Sequence, residues 1–441
     1  MPRKDRTMDD NRRAQRPSAA PGALVRHLAS MNRMDRLFVL ALLLMAPVFG
    51  LVTMETVYAK AALRTFSVPI LVAEVTMLVV AAKALASRNW AGFELSSTAK
   101  ILGALWATSI TISLLGAEFR PGEAQLRFTM TILHFCFGVI VWGYLTQNPG
   151  MRRDCLVAAA AGLGLLFVLA YCFGLWNSGN SEFRWTLFGV GVSNIRHYGY
   201  LSLVLTGIAG GLWLNAPDRT DEAWPALLFF LGVFMIMWTG GRGAFIALLV
   251  QLSVLLAIGP SGRRLAFAGR ALAALAVATL LAAAWVPAQH FGPLNIFLRL
   301  DTGTLPGEEY TTGRAEMWRQ TAAAIPEHPW FGYGEAQFRK AIPAARGFSN
   351  HPHNLILQLL LQWGVIGTGL LAAILARLAW KARSLLKSPT ELTYPCVALI
   401  TGLLAVSMVD GPFFYALPTV LFLLALAILL AEAGNGGTFR K

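Results

Sequence analysis

Residues 223–259 read AWPALLFFLGVFMIMWTGGRGAFIALLVQLSVLLAIG. Two long apolar runs are separated here only by the short segment Thr239-Gly240-Gly241-Arg242-Gly243. A helix needs about 20 mainly apolar residues to cross the hydrocarbon core of a bilayer, and each run approaches that length. The stretch therefore predicts a pair of membrane-spanning helices with an arginine in the tight turn between them.

Similar apolar runs recur along the whole chain. Of its 441 residues, 56% are hydrophobic and 14% are charged, whereas soluble domains have about 25% charged residues. We therefore predict an all-α polytopic membrane protein with about twelve transmembrane helices. The predicted spans are residues 37–53, 66–86, 99–116, 126–146, 155–175, 196–215, 223–239, 243–259, 266–286, 354–380, 394–410 and 413–432.

The polar segments divide the chain into five regions. A basic, Pro- and Ser-rich segment at 1–36 predicts a disordered cytoplasmic arm, and 37–286 holds helices 1–9. The long hydrophilic stretch 287–353 predicts a periplasmic loop with short helices, one of them formed by Ala315, Trp318, Ala322 and Ile325 at helical spacing and another within 335–341. Helices 10–12 occupy 354–432, and 433–441 forms a cytoplasmic tail.

The basic excess is best explained by membrane topology. The chain has 37 Lys and Arg against 23 Asp and Glu, a net charge of +14 that could suggest a nucleic-acid partner. With the N-terminus inside, about two thirds of the basic residues fall in segments on the cytoplasmic side, as the positive-inside rule requires. We therefore expect both termini in the cytoplasm, a surrounding of membrane lipids and no nucleic-acid partner.

Three arginines on the predicted outer side occupy positions where a charge is costly: Arg196, Arg242 and Arg314. Arg242 stands among glycines at a helix N-terminus, where free backbone N–H groups and the helix dipole favour an anion. Its planar guanidinium also matches phosphate oxygens. These arginines are candidate anion-binding residues. The alternative for Arg242 and Arg196 is an interfacial side chain that reaches lipid headgroups, or one that closes a tight turn.

Two histidines lie in Asn350-His351-Pro352-His353-Asn354, directly before the tenth span. A histidine titrates near neutrality and can take a proton from a hydroxyl nucleophile, so it is a candidate general base. A metal site is less favoured because no Glu follows at ligand spacing. Asp410, which closes the eleventh span, is a candidate for orienting a histidine or pairing with an arginine. The alternative for His353, His351 and Asp410 is a helix cap or a turn.

Glu74 and His134 lie within predicted spans. Ionisable residues inside a membrane often serve as substrate or proton sites in transporters. They support an alternative class of function, a secondary transporter or a flippase for lipid-linked sugars.

Three segments carry a family resemblance. The first is Gly240-Gly241-Arg242-Gly243-Ala244, and the second is Thr312-Gly313-Arg314 with Trp318 and His328-Pro329-Trp330-Phe331-Gly332-Tyr333-Gly334. The third is His353-Asn354, followed after nine residues by Gly364-Val365-Ile366-Gly367. Together with the arrangement of spans, these segments resemble the bacterial O-antigen ligase (WaaL) family within the O-antigen ligase/polymerase superfamily.

The resemblance implies a GT-C-like architecture in the Gram-negative inner membrane, with a periplasmic active site. It implies transfer of O-polysaccharide from undecaprenyl diphosphate to lipid A-core in lipopolysaccharide synthesis, by metal-independent inverting glycosyl transfer without a cofactor. It assigns the general base to His353 and donor-diphosphate binding to Arg242 and Arg314, to which we add Arg196. Asp410, His351 and Asn354 are the expected supporting residues. Alternatives in the same superfamily are an O-antigen polymerase and a protein O-oligosaccharyltransferase.

Overall fold

The computed structural model describes residues 28–54, 67–90, 93–180, 183, 185, 190–216, 219–286, 291–297, 313–345 and 349–435. Within these residues the protein is all α, with no strand, which confirms the predicted fold class. We label the twelve long helices α1–α12. They are Arg33–Thr53, Val68–Ser87, Ser97–Leu115, Pro121–Gln147, Met151–Trp176, Tyr198–Asn215, Arg219–Thr239, Arg242–Ile258, Ser261–Ala284, Leu355–Ala382, Thr393–Ser407 and Ala416–Asn435.

The twelve helices coincide with the twelve predicted spans. Among the described residues, nine are long and apolar enough to cross a membrane, and the apolar helices α8 and α11 are shorter. The remaining helix, α6, is rich in glycine and carries Tyr198 and Tyr200. The protein is therefore a polytopic α-helical membrane protein.

Several boundaries differ from the sequence prediction because polar caps extend helices beyond their apolar cores. Helix α1 begins at Arg33, inside the arm predicted at 1–36, since the Asn32 side chain caps it by accepting the Asp35 N–H at 2.9 Å. Helix α12 runs to Asn435, beyond the predicted end at 432. Residues 1–27 of the predicted arm and 436–441 of the predicted tail lie outside the described residues, as do 287–290, 298–312 and 346–348 of the predicted loop.

Helix α6 forms the centre of the bundle. Every residue from Tyr198 to Leu214 is buried, and the helix packs against α7, α8 and α11. Its contact with α11 is close enough to require glycine, because a Cβ at Gly211 would lie 2.2 Å from the Pro395 backbone nitrogen. The starts of α6 and α8 also meet, since a Cβ at Gly199 would lie 2.6 Å from the Ala244 Cβ. The two helix starts that carry Arg196 and Arg242 therefore belong to one end of the bundle.

Helix α10 is broken, and the long loop docks on the break. Gly364 has a φ of 62°, which interrupts the helical hydrogen bonds. The carbonyls of Leu361 and Gln362 accept the N–H groups of Tyr333 and Gly334 at 2.8 and 2.9 Å. The N–H groups beyond the break donate to the carbonyls of Pro329 and Trp330. The loop signature and the glycine motif of α10 are thus two halves of one backbone contact.

The predicted loop helix is present, but its buried face differs from the prediction. The helix runs from Arg314 to Ala324 and continues as a 3-10 turn, Ile325–Glu327. Its buried residues are Thr321 and Ala324, whereas the predicted face members Ala315 and Ala322 are exposed. Alanine is small enough to lie on either face, so the larger Tyr333 and Phe338 of the loop decide which side packs. The second predicted helix is only the turn Phe338–Ala341.

Candidate active site

His353 and Asp410 meet where α10 begins and α11 has ended. The His353 Nδ1 lies 2.5 Å from the Asp410 Oδ1, although the residues are 57 positions apart. A carboxylate at this nitrogen favours the tautomer with the proton on Nδ1 and leaves Nε2 with a lone pair. The geometry therefore gives His353 the arrangement of an oriented general base.

Backbone and side-chain bonds hold this pair in place. His353 has a φ of 55°, a conformation that a residue with a side chain seldom adopts. The next residue, Asn354, caps α10 by accepting the Leu357 N–H at 3.0 Å, and its Nδ2 donates to the Met408 carbonyl at 2.9 Å. One side chain thus fixes the start of α10 to the end of α11, and with it the distance between His353 and Asp410.

Arg314 brings the loop helix into the same site. One guanidinium nitrogen lies 3.3 Å from the Asp410 Oδ2, and the other donates to the Val409 carbonyl. Trp318, one turn further along the loop helix, donates its indole N–H to the Pro352 carbonyl at 2.8 Å. The loop helix is therefore docked directly over the residues that precede α10.

The charges in this cluster are well defined. Burial alone would raise the pKa of Asp410, but the hydrogen bond from His353 and the charge of Arg314 outweigh it and hold this pKa well below its usual range. Burial lowers the pKa of His351 well below its usual range, and His353 lowers it further. Asp410 is therefore a carboxylate and His351 a neutral ring that accepts the His353 N–H at 3.2 Å.

Ser349 is a neighbour of His353 that the sequence did not single out. Its hydroxyl lies 3.2 Å from the His353 Nε2 and 2.6 Å from the His351 carbonyl. A hydroxyl has one proton, so it donates either to the carbonyl or to the Nε2 lone pair. When the Ser349 hydroxyl donates to the His351 carbonyl, its oxygen can accept a hydrogen bond from a protonated His353. The Nε2 lone pair of a neutral His353 is then free to accept from another donor.

The packing of α8 and α6 brings the other two predicted arginines, Arg242 and Arg196, to the end of the bundle that holds His353 and Asp410. Arg242 is the first residue of α8, and Gly243 packs on Val409, whose Cγ2 would lie 3.0 Å from a Cβ at that glycine. Val409 is also the residue whose carbonyl accepts from Arg314. Arg196 is exposed in the turn Ile195–His197, directly before α6. The structure thus joins His353, Asp410 and Arg314 directly and brings Arg242 and Arg196 to the same end of the bundle.

Residues 227–372 match a protein family model described as O-antigen ligase. This match supports the resemblance of the segment to the O-antigen ligase/polymerase superfamily. The O-antigen ligase segment extends from α7 to α10 and contains Arg242, Arg314 and His353, whereas Asp410 and Arg196 lie outside it. None of the curated proteins compared with the chain matches it.

Three further polar residues near Asp410 were not predicted from the sequence: Ser193, His197 and Tyr200. His197 Nδ1 lies 3.1 Å from the Ser193 hydroxyl, and its ring stacks on Tyr200 with centroids 5.3 Å apart. The Tyr200 side chain is buried, and its hydroxyl lies close enough to the Asp410 carboxylate to interact with it. Beside it is a cavity of about 20 Å³, roughly the space of one water. Tyrosines in an apolar run resemble ordinary core residues, so only the fold shows that they face Asp410.

The described residues contain no group of three His, Cys, Asp or Glu side chains arranged to hold a metal ion. The metal-independent character of the reaction stays a prediction. Arg314 and the start of α8 at Arg242 provide positive charge and backbone N–H groups, which suit an anionic group.

Proposed function

We propose that this protein is an O-antigen ligase that transfers O-polysaccharide from undecaprenyl diphosphate to lipid A-core during lipopolysaccharide synthesis. The observation that supports it most directly is the cluster of His353, Asp410 and Arg314, which joins an oriented base to a cation. In this proposal the protein lies in the Gram-negative inner membrane with both termini in the cytoplasm, and the cluster faces the periplasm.

The base works on the acceptor. Nε2 of His353 takes the proton of the acceptor hydroxyl, whose oxygen attacks the anomeric carbon of the first sugar of the donor. The bond from that carbon to the diphosphate oxygen breaks, and its electron pair leaves with undecaprenyl diphosphate. Asp410 stabilises the imidazolium that forms. A single displacement from the opposite side inverts the anomeric centre.

The arginines work on the leaving group. A diphosphate carries its charge without protonation, so the site has to bind charge and need not supply an acid. Arg314 uses one nitrogen for Val409 and one for Asp410, and its remaining N–H groups are available to phosphate oxygens. Arg242 contributes its guanidinium and the N-terminus of α8, and Arg196 contributes from the start of α6. This chemistry requires no metal ion and no cofactor.

Purified protein given lipid-linked polysaccharide together with lipid A-core tests the activity. A ligase increases the mass of lipid A-core, whereas a polymerase lengthens the carrier-linked chain and a protein O-oligosaccharyltransferase modifies an added protein acceptor. Growth of lipid A-core supports the proposal. Growth of the carrier-linked chain alone would refute it and favour the polymerase.

A transporter or flippase is the second candidate, because the structure contains a buried pair inside the bundle. Glu74 Oε1 lies 2.8 Å from His134 Nδ1, and Glu74 is fully buried. A transporter should lose function in Glu74→Gln and tolerate Arg242→Ala. A ligase should show the reverse order of loss in the reconstituted transfer assay.

A further inference from the structure

A long cavity of about 230 Å³ lies between α3, α4, α10 and α12. Its lining on α10 extends from Leu355 to Leu375, on both sides of the break at Gly364. At the other side it reaches Phe414 and Tyr415. Phe414 packs on His351, with ring centroids 4.8 Å apart. The cavity thus follows most of α10 and begins beside the candidate active site.

One wall of this cavity is polar. Arg127, Thr131 and His134 follow one another at spacings of four and three residues, so they share a face of α4. The Arg127 side chain is held in place, because its guanidinium donates to the Phe414 carbonyl at 2.9 Å and lies over the Phe414 ring. Thr131 donates to the buried carboxyl of Glu335. A cavity for a pure hydrocarbon would not need such a wall.

Gln358 and His134 leave hydrogen-bonding groups free in the cavity. Gln358 is only 8% exposed, and its carboxamide makes no hydrogen bond within the described residues. Its neighbour one turn on, Gln362, shows the contrast, because that amide donates to Glu335 at 3.2 Å. His134 uses Nδ1 for Glu74, and its Nε2 has no hydrogen bond in the same described part. Polar groups away from water are rarely left unpaired, so Gln358, in the first turn of α10, indicates a ligand with polar groups at this end of the cavity.

We propose that this cavity binds the acyl chains of an acylated glycolipid, which is the acceptor of the ligase. This inference rests on the proposed function. An isoprenyl chain is hydrocarbon beyond its phosphate, so the chain offers no hydrogen bond to Gln358. Acyl chains attached through amide or ester groups carry donors and acceptors near the membrane surface, where Gln358 lies in the first turn of α10. The carrier chain then lies along another surface of the bundle.

Binding measurements on the full-length protein test this assignment. Native mass spectrometry in detergent would compare lipid A-core with undecaprenyl diphosphate on wild type, Gln358→Leu and the matched control Gln125→Leu, which alters an exposed glutamine of α4. We expect Gln358→Leu to weaken lipid A-core binding about five- to tenfold and undecaprenyl diphosphate binding less than about twofold. The control should bind both lipids as wild type does.

A second variant fills the cavity in case Gln358→Leu folds poorly. Leu371→Trp places an indole in the lining, and Ala373→Trp adds the same side chain at an exposed position of α10. Selective loss of lipid A-core binding in Leu371→Trp supports the inference. Unchanged lipid A-core binding in Gln358→Leu and Leu371→Trp, or selective loss of undecaprenyl diphosphate, would overturn it. If wild type binds lipid A-core through Gln358 without transferring polymer to it, the proposed function fails while the lipid assignment holds.

Discussion

At the scale of single residues, the candidate site depends on how Asp410 is charged. Its carboxylate accepts from His353 and lies beside Arg314, so it both orients the base and partly neutralises the arginine. A carboxylate that only capped a turn would not need to contact both. In the proposed mechanism, Asp410 therefore connects the group that accepts the proton with the group that binds the leaving diphosphate.

Replacing Asp410 by Asn keeps the size of the side chain and removes its charge. We expect the rate of transfer to fall by at least about a hundredfold, because the imidazolium loses its counter-charge and the histidine tautomer is no longer fixed. Initial rates at saturating acceptor measure the effect. A rate within tenfold of wild type would remove Asp410 from the mechanism.

The buried His351 predicts a pH dependence of stability. The pKa of His351 is lowered in the folded protein. As the pH falls below about 6.5, His351 therefore becomes protonated in the unfolded chain while it stays neutral in the folded one. Stability should therefore decrease from pH 7 to pH 5. Melting temperatures in detergent across this range should fall less steeply for His351→Asn, whose amide oxygen can still accept the His353 N–H. Equal slopes for the two proteins would contradict this explanation.

The pattern of residues predicted only part of this cluster. Arg314, His353 and Asp410 are charged or titratable residues beside apolar runs, so they could be selected as candidates. Ser349 and Tyr200 could not, because a serine in a loop and a tyrosine in an apolar run have no local feature that distinguishes them. Their roles depend on contacts with His353 and Asp410, which only the packing of α6, α10 and α11 creates.

At the scale of elements, the break in α10 makes a sharp prediction. An added Cβ at Gly364 would lie 2.4 Å from the Trp330 carbonyl carbon, and the residue has a positive φ. We expect Gly364→Ala to destabilise the protein by about 3 kcal/mol or more, through strain and loss of the docked loop. Thermal unfolding measures it.

Gly369 provides the matched control on the same helix. Nothing lies within 4 Å of a Cβ built there, so Gly369→Ala should be neutral or stabilising by up to about 1 kcal/mol. Similar melting temperatures for the two variants would show that the break at Gly364 is not required.

The elements themselves were predictable, and their mutual contacts were not. Apolar length alone indicated all twelve helices, because a bilayer forces each run to satisfy its own backbone hydrogen bonds. The docking of residues 329–334 on α10 depends on carbonyls that become free only where Gly364 breaks the helix. The apolar face of the loop helix was predicted only in part: Trp318 and Ile325 pack inward, whereas Ala315 and Ala322 are exposed because they are too small to determine packing.

At the scale of the whole molecule, the net charge of +14 reports orientation more than function. If all twelve long helices cross the membrane, both termini lie on one side of it, and the basic residues concentrate in the segments that we predict on that side. This orientation predicts that the candidate site, at the end of the bundle where the loop docks, lies on the opposite side.

Labelling of single cysteines in intact cells tests this orientation. In a background without Cys136, Cys155, Cys172 and Cys396, we expect Ala322→Cys in the exposed loop helix to react with a membrane-impermeant maleimide, and Ser18→Cys in the basic arm to react only after lysis. The reverse pattern would place the loop in the cytoplasm and exclude a periplasmic reaction.

The base at His353 is the central claim, and transfer by the His353→Ala variant tests it most directly. Wild type and variant would be reconstituted with lipid-linked polysaccharide and lipid A-core, with His328→Ala as an exposed histidine control. We predict that wild type and the control form polymer on lipid A-core with inverted anomeric configuration, while His353→Ala folds but slows transfer by about a thousandfold or more. Transfer by His353→Ala within tenfold of wild type would contradict the mechanism.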